Sequence, residues 1–112
     1  MARNKKTVLY DELIGTIIQL KRKERQLIQS ELAALIKLST STMHRIEAGD
    51  SSLTVVQFNN VAAALGYSPL EFFELVMATS VKLKRAGIEV VYQGVPRKKE
   101  PDTIMDVIKA SL

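Results

Sequence analysis

The feature that most constrains this chain is a pair of short apolar-periodic segments, residues 29–36 and 39–49, separated by only Lys37 and Leu38. Apolar residues recur at helical spacing in both, so each reads as a short amphipathic helix, and a two-residue gap leaves room only for a tight turn. Ser39 is a good N-cap for the second helix, and Gly49 supplies its stop. That helix keeps its large apolar residues, Met43 and Ile46, on one side, while Thr40, Ser41, His44 and Arg45 lie on the other. All four can hydrogen-bond base edges. A short helix with one apolar stripe and a row of small polar and arginine side chains suits the DNA major groove.

Composition narrows the class. A chain of 112 residues with 46% hydrophobic content makes one domain, with room for an appendage. There is no Trp and little aromatic content, so the core is expected to be aliphatic. The absence of Cys excludes a disulfide framework, cysteine-ligated metal and cysteine catalysis. No apolar run reaches the length of a membrane span and no signal-peptide pattern opens the chain, so a cytoplasmic protein with no membrane partner is expected. The net charge of +4 is unevenly spread. Residues 1–25 hold seven basic side chains against three acidic, and residues 79–112 hold seven against four. Residues 26–78 hold two, Lys37 and Arg45, against five. The segment that carries the helix pair is therefore locally acidic, and phosphate affinity has to come largely from its flanks.

Further helices read clearly. Residues 11–24 carry Leu13, Ile17 and Leu20 with Ile14 and Ile18 beside them; Asp11 and Glu12 near the start and Lys21, Arg22 and Lys23 near the end suit the helix dipole. Residues 29–36 point Leu32, Leu35 and Ile36 inward, with small Ala33 where helices cross. Thr54 and Gln57 have capping-box spacing and open a helix to residue 65, with Phe58, Val61, Ala62 and Leu65 on its buried face. Ser68, Pro69 and Glu71 form a second capping box with proline at the first helical position. The helix they open ends near residue 77 or runs to 85. Its Phe72, Phe73, Leu75, Val76 and Met77 offer more apolar surface than one core face needs, which points to a partner interface. After Gly87, residues 88–92 are β-prone. A lone strand must pair, either with its mate in a dimer or with residues 7–10, and pairing between chains is the favoured expectation. A basic linker (95–101) and a last amphipathic helix (102–110, with Ile104, Val107 and Ile108 on one side) complete the chain.

Residues 11–78 resemble the Cro/CI-type (XRE-like) helix-turn-helix domain of phage repressors and bacterial regulators. The resemblance rests on Arg22, Gln29-x-Glu31-Leu32-Ala33, Ser39, Ile46-Glu47-x-Gly49 and Ala64-Leu65-Gly66, in this order and at these separations. It implies a mainly α, five-helix, lambda-repressor-like DNA-binding domain with a short C-terminal strand and helix. The implied organisation is a basic arm (1–10), the DNA-binding domain (11–78) and a dimerisation or partner-binding extension (79–112). It also implies roles: Thr40, Ser41 and Arg45 read bases, with His44 at a more variable contact; Gln29, Thr42 and Lys37 meet phosphates; Arg22 and Glu47 form a structural ion pair. Phe72, Val76, Ile88, Val90 and Tyr92 are the expected dimer interface. The chain departs from the family pattern where Lys37 and Gln26 replace glycines, where Ile28 replaces a hydroxyl N-cap, and where Asp50, Ser51 and Ser52 follow the recognition helix in place of basic residues.

The expected function is sequence-specific binding of double-stranded DNA by a homodimeric regulator, acting as a repressor on an inverted-repeat operator. The alternative is an antitoxin-like protein that holds a partner protein through residues 79–112 and regulates its own operon; a third reading uses the helix pair only for protein contacts. No glycine-rich phosphate loop, no second His beside His44 and no Ser-His-acid order stand in the sequence, so no enzyme, metal or cofactor is expected.

Overall fold

The structure, a computed structural model, describes residues 7–92 and 108–112. Its element order is β1 (Thr7–Leu9), α1 (Tyr10–Glu24), α2 (Gln29–Leu35), α3 (Thr40–Ala48), α4 (Val55–Ala64), α5 (Pro69–Arg85) and β2 (Glu89–Val91). Residues 108–111 form a short helical turn. The fold is mainly α, with the five helices in the expected order. The start of the basic arm, the basic linker and most of the last helix lie outside the described residues.

α2, α3 and α4 are short, with 7, 9 and 10 residues, and peptides of such length hardly hold a helix alone in water. Their ends explain why they stop where they do. Ser39, Thr54 and Ser68 each accept a hydrogen bond from the backbone N–H three residues on, at 3.0, 3.0 and 3.1 Å. Gln57 and Glu71 return the contact to Thr54 N–H and Ser68 N–H, completing both expected capping boxes. Ile28 has no oxygen to offer, yet α2 still starts beside it. Glu31 accepts the Ile28 N–H at 2.9 Å, which is half of a capping box.

Each helix closes with the same two backbone bonds, the Schellman pattern. At α1 these are Leu27 N–H to Arg22 O and Gln26 N–H to Lys23 O; at α2 they are Leu38 N–H to Ala33 O and Lys37 N–H to Ala34 O. The pattern requires a left-handed residue. Gly49 takes it at α3 with φ 82°, whereas Gln26 and Lys37 take it with φ 59° and 60° despite their side chains. The turn at Lys37 therefore keeps the geometry a glycine would have, and Lys37 accepts the strain.

A single core joins α1 through α5. Ile18, Leu32, Met43, Val61, Phe72 and Val76 are its most deeply buried large side chains. Two expected core residues are not in it: Leu20 is 56% exposed and Leu35 is 61% exposed. On α1 the buried stripe follows Ile14, Ile18 and Arg22, which leaves Leu20 on the flank; on α2 it is centred on Leu32, Ala33 and Ile36, which rotates Leu35 outward. Conversely, Phe72 and Val76, expected in a dimer interface, are fully buried within this chain. Phe72 packs its ring against Phe58 and Tyr67, with centroids 5.2 and 5.6 Å apart.

The strand question resolves within the chain. β1 pairs β2 in parallel, with Thr7 opposite Glu89, Val8 opposite Val90 and Leu9 opposite Val91. The favoured pairing between chains is thereby corrected. A parallel pair needs a long crossover, and the five helices are that crossover. Thr7–Leu9, assigned to the arm, are part of the fold, and Val90 is half-buried against the core. The Tyr10 and Tyr92 rings meet at 4.9 Å beside the sheet, and burial there raises the Tyr10 phenol above its ordinary pKa.

A left-handed non-glycine residue carries about 1–2 kcal/mol of strain, offset in part by the backbone freedom glycine adds to the unfolded chain. Lys37→Gly is therefore expected to stabilise the domain by about 0.5–1 kcal/mol in urea denaturation; an unchanged or lower midpoint would contradict the strain at this turn.

Candidate nucleic-acid interface

The face in question is the outer side of α3. Met43 and Ile46 are buried, at 0% and 2% exposure, so the helix is anchored by the stripe expected to hold it. Thr40, Ser41, His44 and Arg45 are all exposed, and together they form one polar surface. Thr42 differs: it is half-buried, and its hydroxyl accepts a hydrogen bond from Ser39 Oγ at 2.8 Å. It is thus engaged with the helix cap at the edge of the surface. Lys37, on the turn, is exposed.

What fixes α3 is a buried polar network. Arg22 and Glu47 are each 6% exposed. The guanidinium donates to Glu47 from Nε to Oε2 at 2.7 Å and from Nη2 to Oε1 at 2.9 Å, a two-pronged geometry that only arginine offers. Its Nη1 donates to the Leu27 carbonyl at 2.6 Å. Gln29 Nε2 donates to Glu47 Oε1 at 2.9 Å. Glu47 at the end of α3 thereby gathers the end of α1 and the first residue of α2, and Arg22 adds the α1–α2 turn. The Glu47 carboxylate pushes the Arg22 pKa upward, so Arg22 stays charged at any physiological pH. Gln29, expected at a phosphate, is half-buried, and its amide spends one hydrogen on Glu47.

Two features escaped the sequence reading. Gly15, inside α1, is buried; a Cβ there would collide with the Ile46 carbonyl oxygen and lie 2.7 Å from that of Glu47. Only glycine lets α1 approach the last turn of α3 so closely. The available signal was a lone glycine within a strongly helical pattern. The second is Asp11, whose carboxylate accepts the Ser52 hydroxyl at 2.5 Å and so ties the start of α1 to the loop after α3. Among the described residues, no cluster of His, Asp and Glu is placed to hold a metal ion, and no single helix is long and apolar enough to cross a membrane.

Residues 18–72 match the family described as Helix-turn-helix. No curated protein matches the chain. Among solved structures, it is similar to the clp gene regulator ClgR from Corynebacterium glutamicum, with 24% identity, a TM-score of 0.62, and coverage of 70% of this chain and 83% of that one. It is similar to the restriction-modification controller protein C.AhdI from Aeromonas hydrophila, with 28% identity, a TM-score of 0.53, and coverage of 56% and 96%. A third is the controller protein C.Esp1396I, solved as a tetramer in complex with its natural 35 base-pair operator, with 23% identity, a TM-score of 0.57, and coverage of 62% and 91%. The ClgR and C.Esp1396I likenesses are of fold.

Removing one partner of a buried ion pair strands the other charge, at about 3–5 kcal/mol. Glu47→Ala is expected to cost that much in urea denaturation. The double variant Arg22→Met with Glu47→Leu, which removes both charges, is expected to recover most of the loss; failure to recover would place the cost elsewhere.

Proposed function

We propose that this protein, whose residues 18–72 match the helix-turn-helix family model, is an XRE-type DNA-binding transcriptional regulator, a sequence-specific repressor that acts as a homodimer on an inverted-repeat operator. The observation that carries the reading is the division of α3 into a buried anchor, Met43, Ile46 and Glu47, and an exposed polar surface, Thr40, Ser41, His44 and Arg45. A surface made for protein contact would carry apolar anchors at its centre, and this one carries none.

In this reading Arg45 contacts a guanine through two hydrogen bonds, Thr40 and Ser41 contact neighbouring bases, and His44 takes a more peripheral base contact. Lys37, Thr42 and the second amide hydrogen of Gln29 meet phosphates. Backbone N–H groups in the first turn of α4, next to Thr54, supply what the missing basic residues after α3 do not. Two copies place their α3 helices in successive major grooves about 34 Å apart and obstruct polymerase. C.Esp1396I, similar in fold, is a tetramer in complex with its operator, which lends support to DNA binding with self-association. Residues 11–78 bind DNA, and residues 79–112 serve self-association or a partner. Within that extension Ile88 and Tyr92 keep surface to offer, whereas Val90 faces the core. The antitoxin-like alternative has the exposed apolar residues Ile108 and Leu112 in its favour, and co-purification of a neighbouring gene's product would support it.

Selection from a random duplex pool at moderate salt is expected to enrich an inverted repeat with half-sites one helical turn apart. On that operator, Arg45→Ala is expected to lose about 1–3 kcal/mol of binding and to relax preference at one base pair. An unchanged base preference would remove Arg45 from the reading set; no enrichment at all would bring the protein-binding alternatives forward.

A further inference from the structure

An apolar cleft lies on the side of the domain formed by the start of α1, α4 and the start of α5. It has a volume of about 440 Å³, and Tyr10, Ile14, Val55, Phe58, Leu70 and Phe73 line it. Around it Val55 is 77% exposed, Leu70 64% and Phe73 45%. Apolar side chains gathered around a concave surface are a place where something docks.

The path of the chain identifies the occupant. Tyr10 lines the cleft, and its ring meets that of Tyr92, so the described domain ends at the margin of the cleft. Beyond it, residues 93–101 can span up to about 30 Å when extended. Residues 102–112 then carry Ile104, Met105, Val107, Ile108 and Leu112, which share one face at helical spacing, with Asp102, Asp106 and Lys109 opposite. The end of this segment is helical, and its Ile108 and Leu112 are 50% and 99% exposed. An apolar segment that ends in exposed Ile108 and Leu112 and an open apolar cleft are thus joined by a short tether. The geometry points to the chain's own C-terminal segment, residues 102–112, as the occupant of the α1–α4–α5 cleft, laid in as an amphipathic helix with Ile104 and Ile108 against Leu70 and Phe73. A tether of this length gives an effective concentration in the millimolar range, which a second copy at micromolar concentration does not match.

The chain has no cysteine, so Ala110→Cys, on the polar side of the segment, gives a unique site for a nitroxide label. In the isotope-labelled full chain, the amide signals of Val55, Leu70 and Phe73 are expected to weaken several-fold, equally so after tenfold dilution. They are expected to recover when Ile104→Asp and Ile108→Asp are added, substitutions that touch no buried core residue of the domain. Undiminished signals at these three amides would overturn the inference. So would broadening that passes from a nitroxide-labelled, isotope-free chain to an isotope-labelled, spin-free one, since a second copy would then fill the cleft. Because no DNA enters this measurement, its outcome is separate from that of operator selection.

Discussion

The buried pairing of Arg22 with Glu47 is the interaction on which the rest of the structure depends. Burying two charges in an aliphatic core is costly, and the geometry must repay it in full. Here that cost is set against two parallel bonds between the charges, a third to the Leu27 carbonyl and a fourth from Gln29. These bonds also fix where α1 ends, where α2 begins and how the last turn of α3 lies against both, three relations that non-directional apolar packing leaves loose. Gly15 belongs to the same device, because the α1 backbone can lie against the carbonyls of Ile46 and Glu47 only where no side chain intervenes. The exposed face of α3 is therefore set by contacts made entirely on its hidden side.

The helix ends carry the second layer of specification. α2 has seven residues, α3 nine and α4 ten, too few for intrinsic helix stability. Their boundaries are held by caps at the front and by the Schellman bonds behind. That Gln26 and Lys37 adopt the same left-handed turn as Gly49 shows which influence prevails. The packing of α1 on α3 and of α2 on α3 dictates the turn, and the local preference of the residue yields, at about 1–2 kcal/mol each.

This ordering of influences explains what was legible in the sequence. Ser39 with Gly49, Thr54 with Gln57, and Ser68 with Pro69 and Glu71 are local signals, and the helices they bound lie where those residues place them. The exposed row on α3 was also legible, from the helical spacing of Met43 and Ile46, and so was the Arg22–Glu47 pair, because the resemblance to the family supplied the separation between distant positions. Illegible were facts that belong to no single segment. Whether Leu20 or Arg22 completes the stripe of α1 depends on what lies opposite. Phe72 reads as surplus only until Phe58 and Tyr67 are seen to surround it. The partner of residues 89–91 is a strand some eighty residues earlier, and periodicity carries no information about it.

The same reasoning settles a tension in the charge pattern. Counted along the sequence, residues 26–78 are acidic, which argues against a polyanionic partner. In the fold, three of those five acids are engaged. Glu47 is neutralised by Arg22 within the core. Glu31 and Glu71 accept backbone N–H groups at the starts of α2 and α5, where the helix dipole offsets part of their charge. Asp50 and Glu74 remain as exposed acids, against exposed Arg45 and Lys37. Arg45 is on the exposed face of α3 itself. In the proposed reading, a surface of that kind attracts a phosphate backbone weakly and is not repelled by it, so discrimination would rest on hydrogen bonds to base edges more than on bulk charge. The exposed polar row of Thr40, Ser41 and His44 beside Arg45 suits that proposed reading.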